Sequence, residues 1–246
     1  MTNKDENIEK FTQNKKRKKQ RLLMCISLAT VFIFSIICIV VGPNLVKQER
    51  MSQYLRNKYG REFMLKNLRT EGGGLGVEGD LTADAYERDD KKSKKFSVWE
   101  EPPGVYHDTY LNVTWNTYEA YGLKTYLDNN NIRTEKQYID IGLENSLGDK
   151  LKGVPALKSV IETNGNDVMY GVVVVLSGER VTDKDKLYFY KVVDYARSKN
   201  NLNYSVRYVI NSRTNDSRYI CQYYGGSKNN NSQNIQDCFS KANGRE

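Results

Sequence analysis

"VMYGVVVVL", residues 168–176, is the stretch on which the fold turns. Its apolar residues fill both alternating sets, so neither face of a strand here would meet water. A run this short and this apolar suits a central strand of a sheet. Downstream, Thr182 followed three residues later by Asp185 has the form of a capping box. It opens a helix over about 183–198, with Phe189, Val193 and Ala196 on one face and Tyr190 and Val192 nearby. "NYSVRYVI", residues 203–210, then alternates Tyr204, Val206, Tyr208 and Ile210 with Ser205, Arg207 and Val209, as a strand does. "SRYICQYY", residues 217–224, reads as another strand. Strand–helix–strand–strand predicts an α+β fold, a mixed or antiparallel sheet with packed helices on one face. The same periods assign the aromatic residues between Tyr188 and Tyr208 to core packing rather than to a polymer-binding surface.

Upstream the pattern is weaker. Residues 129–164 are punctuated by Gly142, Gly148, Gly153 and Pro155 and hold no long period. They read as connecting structure with one short helix. "YLNVTWN", residues 110–116, places Leu111, Val113 and Trp115 opposite Asn112, Thr114 and Asn116, the pattern of a strand with one buried side. "TYEAYGLKTYLDNN" after it is expected to be a short helix. "LTADAYE" and "FSVWE" read as strands joined by the charged turn "RDDKKSKK". "EGGGLGVEGD", residues 71–80, has five glycines in ten residues but no Lys-Ser/Thr pair, and its acids would repel phosphate. It is a turn rather than a nucleotide loop. Residues 45–65 carry Met51, Leu55, Tyr59 and Phe63 at every fourth position, which predicts a helix. Arg50, Arg56, Lys58, Arg61 and Glu62 are placed on its wet face, and Gly60 marks its end.

Ahead of that helix lies "LLMCISLATVFIFSIICIVV", Leu22 to Val41, 20 residues without a charge. As a helix it would be about 30 Å long, the thickness of a bilayer's hydrocarbon core. It is longer than a cleaved signal core and lacks a small-x-small site. Eight Lys or Arg against three acids leave residues 1–21 at +5 and, of the net +8, the rest of the chain at only +3. Six of those basic residues, Lys15, Lys16, Arg17, Lys18, Lys19 and Arg21, flank the apolar block. The positive-inside rule then predicts a cytoplasmic N-terminus, an extracytoplasmic remainder and attraction of the tail to anionic lipid headgroups. The near balance of the remainder gives no reason to expect nucleic-acid binding. The expected plan is a tail at 1–21, a transmembrane helix at 22–42, and α+β regions at 43–130 and 131–246, in one domain or two.

Candidate chemistry is sparse. Cys221 and Cys238 are expected to form a disulfide closing a Gly/Asn-rich loop, while Cys25 and Cys38 sit in the apolar block. The only histidine, His107, stands beside Asp108. Neighbours in a strand face opposite ways, so the pair does not make a catalytic dyad, and His107 reads as a surface or turn residue. One histidine and two remote cysteines make no standard zinc set. No catalytic residue, metal ligand or cofactor is expected.

"YLRNKYGREFML" followed by "ADAYERDD" and "FSVWEE" resembles small exported or membrane-anchored cell-surface proteins of Gram-positive bacteria. In those, a KYG-x-x-F helix end leads into a sheet with a Tyr-Asp-Asp-like turn and a Phe-x-Val strand. The likeness covers residues 54–100 and implies location more than activity. The combined expectation is a single-pass anchored protein of the cell membrane that binds another envelope protein. The alternative is an anchored envelope enzyme such as a hydrolase.

Overall fold

The computed structural model describes Met24 and residues 44–72, 79–88, 94–101, 104–199, 203–212, 214, 217–225 and 238–243. The chain divides into two compact units, Met1–Arg50 and Met51–Glu246. Of the first unit, Met24 and residues 44–50 are described, and they are helical.

Residues 44–59 are helical and are called α1. Gly60 ends the helix at φ +67°, a left-handed conformation that costs glycine nothing. Four strands follow: β1 Phe63–Glu71, β2 Asp80–Glu87, β3 Phe96–Glu101 and β4 Val105–Asp108. They pair antiparallel in chain order as one four-stranded sheet. The glycine-rich stretch thus joins two paired strands, Glu71 facing Asp80 in the register.

Helix α2, Tyr110–Asn129, crosses to a second sheet. That sheet contains β5 Lys136–Leu143, β6 Val168–Ser177, β7 Tyr204–Asn211, β8 Ser217–Gly225 and β9 Ser240–Asn243, in that spatial order. Helices α3 Asn145–Lys150 and α4 Leu157–Asn164 lie between β5 and β6. Helix α5, Asp183–Arg197, makes the crossover between β6 and β7, the one parallel pair among the described strands. Its N-terminus carries the expected capping box, Thr182 and Asp185 each bonding the other's backbone.

One contiguous core joins the elements. It takes Met51 and Leu55 from α1, Phe63 and Val98 from the first sheet, Leu111 and Trp115 from α2, Tyr170 and Val172 from β6, and Phe189 from α5. Gly122 lets α2 approach α5, since a Cβ there would stand 3.3 Å from the Tyr195 hydroxyl.

"YLNVTWN" is helix, not strand. Leu111 and Trp115 alternate, but they are also four apart, and Leu123 and Leu127 extend the buried stripe through α2. The hydroxyls of Thr114, Thr117 and Thr125 each donate to the carbonyl four residues back. Asn116 accepts from the backbone N–H of Ile141 and so covers part of the β5 edge. Residues 129–164 hold a full strand, β5, and two helices where connecting structure was expected. Only Ile139 and Ile141 of β5 are fully buried, which is too little alternation to read.

Cys221 and Cys238 form a disulfide with Cα atoms 5.0 Å apart. It holds Phe239 against Phe189 and Tyr208, ring centroids 5.9 and 6.0 Å away.

The membrane reading is corrected. Among the described residues no helix is long and apolar enough to cross a membrane. The span expected at 22–42 lies, Met24 apart, outside the described residues, as do Lys15, Lys16, Arg17, Lys18, Lys19 and Arg21. The single-pass topology, the cell-membrane location, the bilayer and anionic-lipid partners and the envelope partner all rested on that span, and they are withdrawn with it. So are the anchored binding and anchored enzyme functions. The likeness to anchored or exported surface proteins is corrected too: the described residues between 54 and 100 build the end of α1 and strands β1 to β3, and none of these is an anchor. The mixed and antiparallel sheets with packed helices stand.

Candidate functional site

The last strand of the first sheet ends in His107 and Asp108, and both are buried among polar partners. Asp108 is tied to α1. Its Oδ2 accepts from Lys58 Nζ at 2.7 Å and from the Tyr54 hydroxyl at 2.9 Å. Its Oδ1 accepts from the Tyr59 hydroxyl at 2.7 Å and from the backbone N–H of Tyr110 at 2.9 Å. The side chains of Lys58 and Asp108 are 5% and 0% exposed. Four donors saturate the carboxylate, which is what a buried charge requires. Burial, then Asp108, pushes the Tyr54 and Tyr59 phenols up, so both remain donors. Lys58 therefore does not lie on the wet face of α1. The signal for this was Tyr54 four residues before it, on the same side of the helix.

His107 points to the other side of the strand and is 7% exposed, so it is not a surface residue. Its ring lies 5.3 Å from that of Trp99, its partner across β3 and β4. Nδ1 stands 3.0 Å from Asp149 of α3. Nε2 is buried and makes no hydrogen bond. The nearest charged partner, Glu101 Oε1 at the end of β3, is 3.5 Å from it on a half-exposed side chain. The sequence separates Asp149 from His107 by α2 and β5, so nothing local foretold the contact.

Between these two groups lies a cleft of about 100 Å³. Lys58, Trp99, His107, Asp108, Asn112 and Glu144 line it, with Asp149 and Asn145 of α3. Its lining includes one lysine and no arginine, and that lysine is neutralised by Asp108. The volume is well below the ~300 Å³ at which ordinary small-molecule sites begin. It admits a head group, not a drug-sized ligand. Among the described residues no group of three His, Cys, Asp or Glu is placed to hold a metal ion. The nearby Thr109 hydroxyl already accepts from the Ser97 N–H.

A second, partly buried polar group lies elsewhere. Lys199 Nζ meets Glu119 at 2.6 Å, and the Tyr170 hydroxyl donates to the same carboxylate at 2.9 Å. These groups satisfy one another and join α2 to β6.

No protein-family model matches this chain. No curated protein matches it either. Among solved structures, it is similar to the crystal structure of a DUF5037 family protein from Ruminococcus gnavus. The two are 15% identical, the likeness covers 67% of this chain and 75% of that one, and the TM-score is 0.40. A likeness at that level carries no argument about function.

Proposed function

We propose that this is a binding protein whose cleft between α1, β3, β4, α2 and α3 receives a small organic cation. The observation that carries this is the charge of the lining. Lys58 is cancelled by Asp108, while Glu144 and, beside the His107 ring, Asp149 add two further carboxylates to the lining. Trp99 adds an aromatic wall, and such a wall attracts a cation by about 0.5–2 kcal/mol. Lys58 already uses that attraction inside the protein, 5.3 and 5.2 Å from the Tyr54 and Tyr59 ring centroids. Asn112 and Asn145 bring side-chain carbonyls that can accept from an ammonium.

His107 is the only histidine of the chain, so its imidazole gives one assignable reporter. Titration with methylammonium is expected to move its ¹⁵N resonances saturably, whereas acetate at equal ionic strength leaves them in place. The Asp149→Asn variant should bind methylammonium several-fold more weakly. Equal responses to methylammonium and acetate, or no response to either, would sink the reading.

A further inference from the structure

His107 stands between two carboxylates that belong to different elements. Asp149 reaches Nδ1 from α3, and Glu101 lies near Nε2 at the end of β3. A neutral ring donates only one proton. With that proton on Nδ1, facing Asp149, Nε2 is left buried and without a hydrogen bond. A doubly protonated ring donates from both nitrogens, and both then have an acceptor of opposite charge within reach. Leaving a buried polar atom unpaired is costly, and protonation removes that cost here.

We propose that His107 is a proton-operated latch of the cleft: its imidazolium draws Glu101 onto Nε2 and fastens α3, through Asp149, against β4. This rests on the cleft being the binding site, because α3 is one of its walls. When the ring loses its second proton, Glu101 is released, and the Nδ1–Asp149 contact that holds the α3 wall weakens from an ion pair to a hydrogen bond from a neutral ring. Acid therefore closes the wall and neutral pH loosens it.

The charged groups around the ring are few. Asp149 faces it from α3 and Glu101 from β3, with the Trp99 ring packed alongside. Glu144 also lines the cleft. On its own strand Asp108 is adjacent, with the Lys58 ammonium of α1 balancing it. The net charge facing the ring is negative. Histidine is the side chain whose charge changes in the physiological range.

The test is amide hydrogen exchange of α3 in the ligand-free protein, at about pH 5.5 and 7.5. The readout is the helical N–H groups of Leu147, Gly148 and Leu151, each bonded to a carbonyl within the turn. After correction for intrinsic rates, wild-type protection should be several-fold higher at the lower pH. In Glu101→Gln and Asp149→Asn that difference should shrink, and in His107→Phe it should vanish. Equal protection at the two pH values in the wild type would overturn the latch, as would a difference that survives in His107→Phe. These measurements use no ligand. A failed latch with intact methylammonium binding would remove the latch alone, and failed binding with an intact pH response would remove the ligand reading alone.

Discussion

Lys58 of α1 and Asp108 of β4 meet at 2.7 Å with both side chains out of water. They are 50 residues apart, and the pair fixes the helix to the edge of the first sheet at the base of the cleft. Removing one partner of such a pair leaves a buried charge without compensation, at a cost of about 3–5 kcal/mol. Lys58→Met should lower unfolding stability by that amount in urea titrations. The double variant Lys58→Met/Asp108→Leu should recover part of the loss, because an apolar pair of similar volume carries no desolvation cost. A double variant no more stable than Lys58→Met would show that the hydroxyls of Tyr54 and Tyr59 cannot do without the carboxylate.

The bulge in β1 gives a second expectation. The register shifts between Lys66 and Arg69, and Asn67 sits there at φ +53°. Its side-chain amide donates to Asp84 Oδ2 at 2.9 Å. That bond, reinforced by Arg69 and Lys95, holds the Asp84 carboxyl below its usual range. A depressed carboxylate contributes stability that is fully present above the ordinary value near ~3.9 and is lost as pH falls through the lower folded value. Asn67→Ala should therefore flatten the acid limb of the stability–pH curve and add backbone strain of about 1–2 kcal/mol. Asn67→Gly should flatten the same limb without the strain. Acid titration followed by far-UV circular dichroism separates the two effects.

The C-terminal half was readable because its elements are strongly one kind of thing. β6 is apolar on both faces, α5 announces itself by its cap, and β7 alternates from Tyr204 to Tyr208. β5 was missed because two buried isoleucines are too short a signal. The start of α2 was misread because alternating apolar residues are sometimes also four apart, and only Leu123 and Leu127 further on decide for the helix. The site was the least legible part. Lys58, Asp108, His107 and Asp149 come from three separate elements, α1, β4 and α3. Sequence periodicity reports which face of an element is wet, not which distant charge will dry it. A lysine flanking an apolar helical stripe reads as solvated until Asp108 is seen above it.

The disulfide makes a third expectation. Cys221 and Cys238 are 17 residues apart. Restricting an unfolded loop of that order is worth about 3 kcal/mol. Here the bond also anchors Phe239, which packs on Phe189 and Tyr208 of the core. Cys221→Ser/Cys238→Ser should lower the stability of the oxidised protein by about that amount. It should not alter the Lys58–Asp108 region, whose amide exchange serves as an internal control. A loss of only a few tenths would mean that Phe239 stays in place without the bridge.

Gly171 of β6 and Gly142 of β5 form a paired contrast within one sheet. Gly171 faces Asp140 in the antiparallel register. A Cβ on Gly171 would stand 2.9 Å from the Asp140 carbonyl oxygen and 3.3 Å from its Cβ. The obstructing atom is backbone, held by the pairing of the edge strand β5 to β6, so it cannot swing aside as a side chain would. Gly171→Ala should separate β5 from β6 locally and cost about 1–3 kcal/mol, as overpacking does. At Gly142 the added Cβ would meet only Met169 Cβ at 3.5 Å, an ordinary contact. Gly142→Ala should be nearly neutral, or slightly stabilising through the unfolded chain. Urea midpoints of the two variants measure the contrast directly. If both fall alike, the close approach at Asp140 is relieved by a shift of β5, and the bond from Ile141 to Asn116 of α2, one residue along, should then show faster amide exchange.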